Sequence, residues 1–160
     1  MKKFPRRFSL APALPPAAMA ASLAVSLVLF TGSPPRMEGR IFIYPLNSGE
    51  DTGSERRGIP AGNTLESRIA VFLDELLVGP VKIDLAPTAP KGTALRHAAV
   101  LERTAYIDLS RHMISRDASM PISIGEAAAN IDWNIRFNFP RIKNIVITIE
   151  GHQVGTPRFQ

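Results

Sequence analysis

The chain contains no cysteine. That excludes a disulfide framework, a thiolate zinc site, a cysteine nucleophile and the lipid-bearing cysteine of a lipoprotein. Aromatics with a polar handle are scarce, with one tryptophan and two tyrosines in 160 residues. Acid is missing from the whole N-terminus: nothing before Glu38 is negative, while Lys2, Lys3, Arg6 and Arg7 are positive. The formal charge of +5 is therefore mostly a property of the first seven residues, and the rest carries about +1. A nucleic-acid binder concentrates base on one face, often interleaved with stacking aromatics. No nucleic-acid partner is expected.

Long apolar runs are also missing. Leu10 to Phe30 is uncharged, but Pro12, Pro15 and Pro16 break its first half and leave Ala17 to Phe30 as the uninterrupted stretch. That is shorter than the roughly 20 residues of an ordinary membrane span and similar to the apolar core of a signal peptide. Small residues follow at Thr31-Gly32-Ser33, yet Pro34 stands directly after the best cleavage site. Residues 1–36 are therefore expected to be a signal or anchor segment with its linker, outside the folded domain. An uncleaved single-pass anchor is favoured, and export of a cleaved body is the alternative. The basic start would stay in the cytoplasm and send residues 37–152 across the membrane. Residues 153–160 remain as a tail.

Within the body, Asn63 to Pro80 is the best-defined element. Leu65, Ile69, Phe72, Leu73, Leu76 and Leu77 recur at helical spacing and form one apolar stripe. Asn63, with Glu66 three residues on, is expected to cap the start, and Gly79-Pro80 ends it. Before it, Arg40 to Tyr44 is expected as a strand, and the Gly- and charge-rich residues 45–62 as a long loop. After it, Pro87 and Pro90 keep Val81–Pro90 out of a regular sheet. Thr93–Leu101 and Thr104–Ser110 form a hairpin turning at Glu102-Arg103. Residues 111–122 connect to a helix opened by the Ser123/Glu126 capping box and running to Asn138. Lys143–Glu150 is the strongest strand, ended by Gly151, and the last residues either turn back as a short strand or fray. The order β-α-β-β-α-β predicts an α+β, two-layer sandwich: a four-stranded mixed sheet with two helices on one face.

No constellation of catalytic residues emerges. His97, His112 and His152 have no ligand partner at helical spacing, and no strained nucleophile turn surrounds a serine. Asp74 and Glu75 diverge by about 100° around their helix and cannot act as a pair. Lys91-Gly92-Thr93 lacks the upstream glycine of a phosphate loop. Asp108 and Glu150, both near strand ends, are the carboxylates a wall hydrolase would use. Trp133 to Pro140 stands out for its aromatic density. Trp133, Arg136 and Phe137 are the expected interaction patch, for a protein or a glycan.

Several stretches then resemble, in order and spacing, the GerMN domain family. They are Glu75-Leu-Leu-Val-Gly-Pro80, Pro90-Lys-Gly-Thr93, Ala105-Tyr-Ile-Asp-Leu-Ser110, Asn130, Phe139-Pro140 with Ile142-Lys143, and Ile145-Val-Ile-Thr-Ile-Glu-Gly151. The resemblance spans about residues 40–152. It departs at the hairpin turn, where the family usually has Asn-Gly or Asp-Gly and this chain has Glu102-Arg103-Thr104. The resemblance implies an extracytoplasmic module of sporulation, germination and other bacterial envelope proteins. That module serves interaction and assembly and has no established catalytic residues. No enzyme activity, no cofactor and no metal are expected. Envelope proteins or further copies of the chain are the expected partners. A glycan-binding module on peptidoglycan is the alternative, and a peptidoglycan hydrolase a weaker one.

Overall fold

A computed structural model describes residues 14–31 and 36–153, which fall into two units divided after Pro35. In the first unit Leu14–Thr31 is a helix, α1. It starts three residues earlier than the sequence pattern indicates. Pro15 and Pro16 occupy its first turn, where the missing N–H groups would have had no intrahelical acceptor. Its 18 residues span about 27 Å at ~1.5 Å each, short of the roughly 30 Å hydrocarbon core. Among the described residues no helix is long and apolar enough to cross a membrane. The transmembrane helix expected over this stretch is therefore not among the described elements.

The second unit begins with β1 (Met37–Pro45) and β2 (Thr52–Pro60), then α2 (Leu65–Val78), β3 (Leu95–Leu101) and β4 (Thr104–Leu109). After a 3₁₀ turn at Arg111–Ile114 come α3 (Ile124–Asn138), β5 (Asn144–Ile149) and β6 (His152–Gln153). The fold is α+β, with a four-stranded mixed sheet ordered β3-β4-β5-β6. Strand β4 pairs antiparallel with β3 and parallel with β5, and α3 makes the crossover that a parallel pair requires. The membership of the sheet differs from the expected one. The first strand lies outside it and pairs with β2 as a separate antiparallel hairpin, and the short β6 takes the fourth place. The expected loop at 45–62 is thus mostly strand.

Ala105, Ile107 and Leu109 of β4 lie beside Ile145, Ile147 and Ile149 of β5 on one face of the main sheet. Five of the six are buried, Ile145 being partly exposed. Ile69, Phe72, Leu73 and Leu76 of α2 and Ala127, Ile131 and Ile135 of α3 join them in a single core, so both helices cover the same face. Tyr106 and Asp108 point away from it. Phe42 stacks on Phe72 with centroids 4.7 Å apart, and Phe139 meets Phe72 edge-on at 5.6 Å. Arginines cap this aromatic column at both ends. The Arg57 guanidinium lies 4.7 Å from the Phe42 centroid, and that of Arg40 lies 4.6 Å from Phe139.

Helix starts follow the capping logic with one shift. Thr64, not Asn63, caps α2, and its capping-box partner is Ser67. Glu66 is released from that task, and its carboxylate accepts the Val100 N–H on the outer edge of β3. Ser123 and Glu126 form the expected box on α3.

The hairpin turn resolves the departure at Glu102. Its φ is +55°, a left-handed conformation that costs an L-residue roughly 1–2 kcal/mol. The β5–β6 turn is made the usual way, with Gly151 at φ 80° following Glu150 at φ 50°. Glu102→Gly is expected to raise stability by about 0.5–1 kcal/mol in urea unfolding, after the larger chain entropy of glycine is discounted. No gain would mean that the Glu102 side chain makes a compensating contact.

Candidate interaction surface

Helix α3 turns one side inward and another outward. Ala127, Asn130, Ile131, Asn134 and Ile135 are buried. Trp133 and Phe137, spaced i and i+4, share one flank beside the buried side and remain 48% and 53% exposed. Arg136 adjoins them, but it is not a free cation. Its Nε donates to Asp132 at 2.6 Å, and Nη1 donates to the Lys143 carbonyl just before β5. The Asp132 hydrogen bond raises its pKa further. The structure thus brings all three expected patch residues to one side of α3, with Arg136 also tying the helix to the sheet. Charge reversal at Arg136 would therefore disturb the fold as well as the surface.

Beside Trp133 lies an open groove of about 260 Å³, lined by Pro45, Gly49, Glu50, Asp51, Ile122 and Ala129 among others. The β1–β2 connection forms one wall and the start of α3 the other. No local pattern announces this pairing, because the connection lies about 80 residues from α3 and becomes its neighbour only when β1 docks there.

That docking depends on asparagines. Asn134 accepts the Ile43 N–H at 2.9 Å and donates to the Ile43 carbonyl at 2.7 Å. One turn later Asn138 accepts from the Ile41 N–H at 3.3 Å and donates to its carbonyl at 2.7 Å. Successive helical turns thereby match alternate residues of β1, and two side-chain amides replace the strand that would otherwise pair with this edge. Asn130, one turn earlier, accepts from Thr88 and from Asn134.

A second surface was not anticipated. Val78, the last residue of α2, and Val81 and Ile83 just after it are 81%, 77% and 96% exposed. The loop that carries them is pinned from below by Glu55. This buried carboxylate accepts from the Val81 and Lys82 amides at 3.2 Å and from Arg57 Nε at 2.7 Å. Burial pushes the Glu55 pKa up, but those amides and the guanidinium outweigh it and hold the carboxyl below its ordinary range. Arg57 also donates to the Gly79 carbonyl and the Tyr44 hydroxyl, both at 2.6 Å, and so closes the C-terminus of α2. The same device recurs at α3. Arg40 donates to the Asn138 carbonyl at 2.7 Å while paired with Glu38, whose carboxyl Arg68 and Arg40 together hold below the usual range.

The other candidates stay apart or are engaged. Asp108 accepts from the Gly151 amide at 2.8 Å, the Thr148 hydroxyl at 2.7 Å and Arg96 at 2.8 Å. Led by the Gly151 amide, these donors lower its pKa and make it a brace for the β5–β6 turn. Glu150 occupies that turn itself. His97, His112 and His152 fall on β3, the 3₁₀ turn and β6. Among the described residues no cluster of three or more His, Cys, Asp or Glu could hold a metal ion.

Comparison with known proteins matches the architecture. The tandem GerMN domains of the sporulation protein GerM from Bacillus subtilis superpose with a TM-score of 0.56 at 16% identity, over 78% of this chain. This chain spans 45% of the length of that structure. The first GerMN domain of the same protein superposes with a TM-score of 0.52 at 17% identity, covering 74% of this chain and 93% of the domain. At such identities the likeness is one of fold. No curated protein matches the sequence. Residues 43–155, more than half of the chain, match the Germane family, described as "Sporulation and spore germination", and the chain belongs to that family.

Proposed function

We propose that this chain is a non-catalytic interaction and assembly module of the bacterial cell envelope. Its N-terminal segment, basic and then apolar, carries the body out of the cytoplasm, and its partners are envelope proteins or further copies of itself. The observation that carries this reading is the outward pair Trp133 and Phe137. Large aromatics presented on one rigid helix face are the residue type and geometry of binding hot spots. The engagement of Asp108 by three donors supports the same reading against a hydrolase, because a carboxylate so held cannot approach a glycosidic bond freely.

In-cell crosslinking of the full-length chain, followed by affinity purification and mass spectrometry, tests it. Recovery of one or two envelope proteins, or of a ladder of the chain itself, is the expected result. Recovery of wall fragments alone would overturn it in favour of glycan binding.

A further inference from the structure

We propose that the groove beside Trp133 receives an arginine or lysine side chain from a basic segment of a different protein. This rests on the assembly reading above and names the chemistry of the partner. Three features of the groove select that occupant. Its walls are largely apolar, built from Pro45, Ile122, Ala129 and the half-exposed indole of Trp133. Its charged lining residues are Glu50, Asp51 and Glu126, all acidic, and among the described residues no basic one lines it. At about 260 Å³ it falls below the roughly 300–1,000 Å³ of small-molecule clefts and has room for one long side chain.

The acidic rim keeps capacity to accept. Asp51 Oδ1 takes the Thr52 N–H, and Glu126 Oε2 takes both donors of Ser123, which leaves the second oxygen of each. An aliphatic stem lying along proline, isoleucine and alanine, with its cation over the indole and beside carboxylates, satisfies every part of this surface. A neutral apolar side chain would leave the acidic rim partly desolvated, and an acidic one would be repelled. The rigidity of the groove adds to the fit. One wall follows β1, whose position the Asn134 and Asn138 amides fix against α3, so the indole and the rim are set before any partner arrives.

Trp133 is the sole tryptophan of the chain, so its fluorescence reports on the groove alone. The full-length protein is titrated with N-acetyl-arginine amide and, separately, with its neutral citrulline counterpart. A saturable change with the arginine compound, at least tenfold weaker with citrulline, is expected. Glu50→Gln with Asp51→Asn should weaken it at least fivefold while leaving the melting temperature unchanged. Equal responses to the two compounds, or no saturation with arginine, would overturn the proposal. In cells, a photocrosslinker at Ala129 should capture an arginine- or lysine-bearing segment of another protein. Capture of a second copy, of wall glycan or of a segment without base would equally overturn it. The general crosslinking experiment would still return envelope partners in those cases, so the assembly reading stands or falls separately.

Discussion

Replacing Asn134 with leucine is expected to lower the unfolding free energy by about 3–5 kcal/mol, among the largest single-residue losses this domain can show. Asn134 is fully buried, and its amide is the partner of both the N–H and the carbonyl of Ile43. Leucine has a similar volume, so packing alone would tolerate it. It would leave two backbone groups of β1 buried without partners, at roughly 1–3 kcal/mol each. It would also remove the donor from which both the Asn130 carbonyl and the Asn130 side-chain oxygen accept. Aspartate is no rescue, because it could accept from the Ile43 N–H but could not donate to the Ile43 carbonyl or to Asn130. Asn138 provides the internal control. It makes the same pair of contacts to Ile41 nearer to water, and Asn138→Ala should cost only about 0.5–1.5 kcal/mol. Urea unfolding of both variants measures the difference. A loss at Asn134 as small as that at Asn138 would mean that the edge of β1 does not depend on Asn134.

This asparagine pairing also explains what the sequence could not disclose. The helices, the β3–β4 hairpin and β5 were legible because each is announced locally, by a stripe, a cap or a run of β-branched residues. Strand β2 was not. Its inward positions are Gly53, Glu55, Arg57 and Ile59, so the alternation that marks a half-buried strand is carried mostly by glycine and an ion pair. A charged pair that faces the core has the same letters as one that faces water. The place of β1 was hidden for a related reason. Asn134 and Asn138 look like the solvated side of a helix until the strand they bond to is known, and Ile41 and Ile43 lie more than 90 residues away. The exposure of Trp133 and Phe137 was legible, because both fall off the apolar stripe of α3. The acidic wall of its groove was not, since Glu50 and Asp51 reach it only through the docking of β1.

The buried pair on β2 yields the second large effect. Arg57→Met is expected to cost about 3–5 kcal/mol, because it leaves Glu55 charged, buried and deprived of its counterion. It also removes the donor to the Gly79 carbonyl and the cation over Phe42. Methionine keeps most of the aliphatic stem, so the loss reports on charge and hydrogen bonding more than on packing. The pH dependence gives an independent readout. In the native chain the Glu55 carboxyl titrates below its ordinary value of 4.5, so its contribution to stability is fully present above that pH. That contribution is lost as the pH falls through the lower, folded value. In Arg57→Met one of the groups that hold the carboxylate ionised is gone, while burial and the Val81 and Lys82 amides remain. Its pKa must rise, and the acid loss due to Glu55 must become shallower. Chemical denaturation of both proteins between pH 3 and pH 6 would show this as a stability difference that narrows towards the acid end. A constant difference across that range would mean that Arg57 stabilises the fold only through the end of α2 and the aromatic column, and not through the carboxylate.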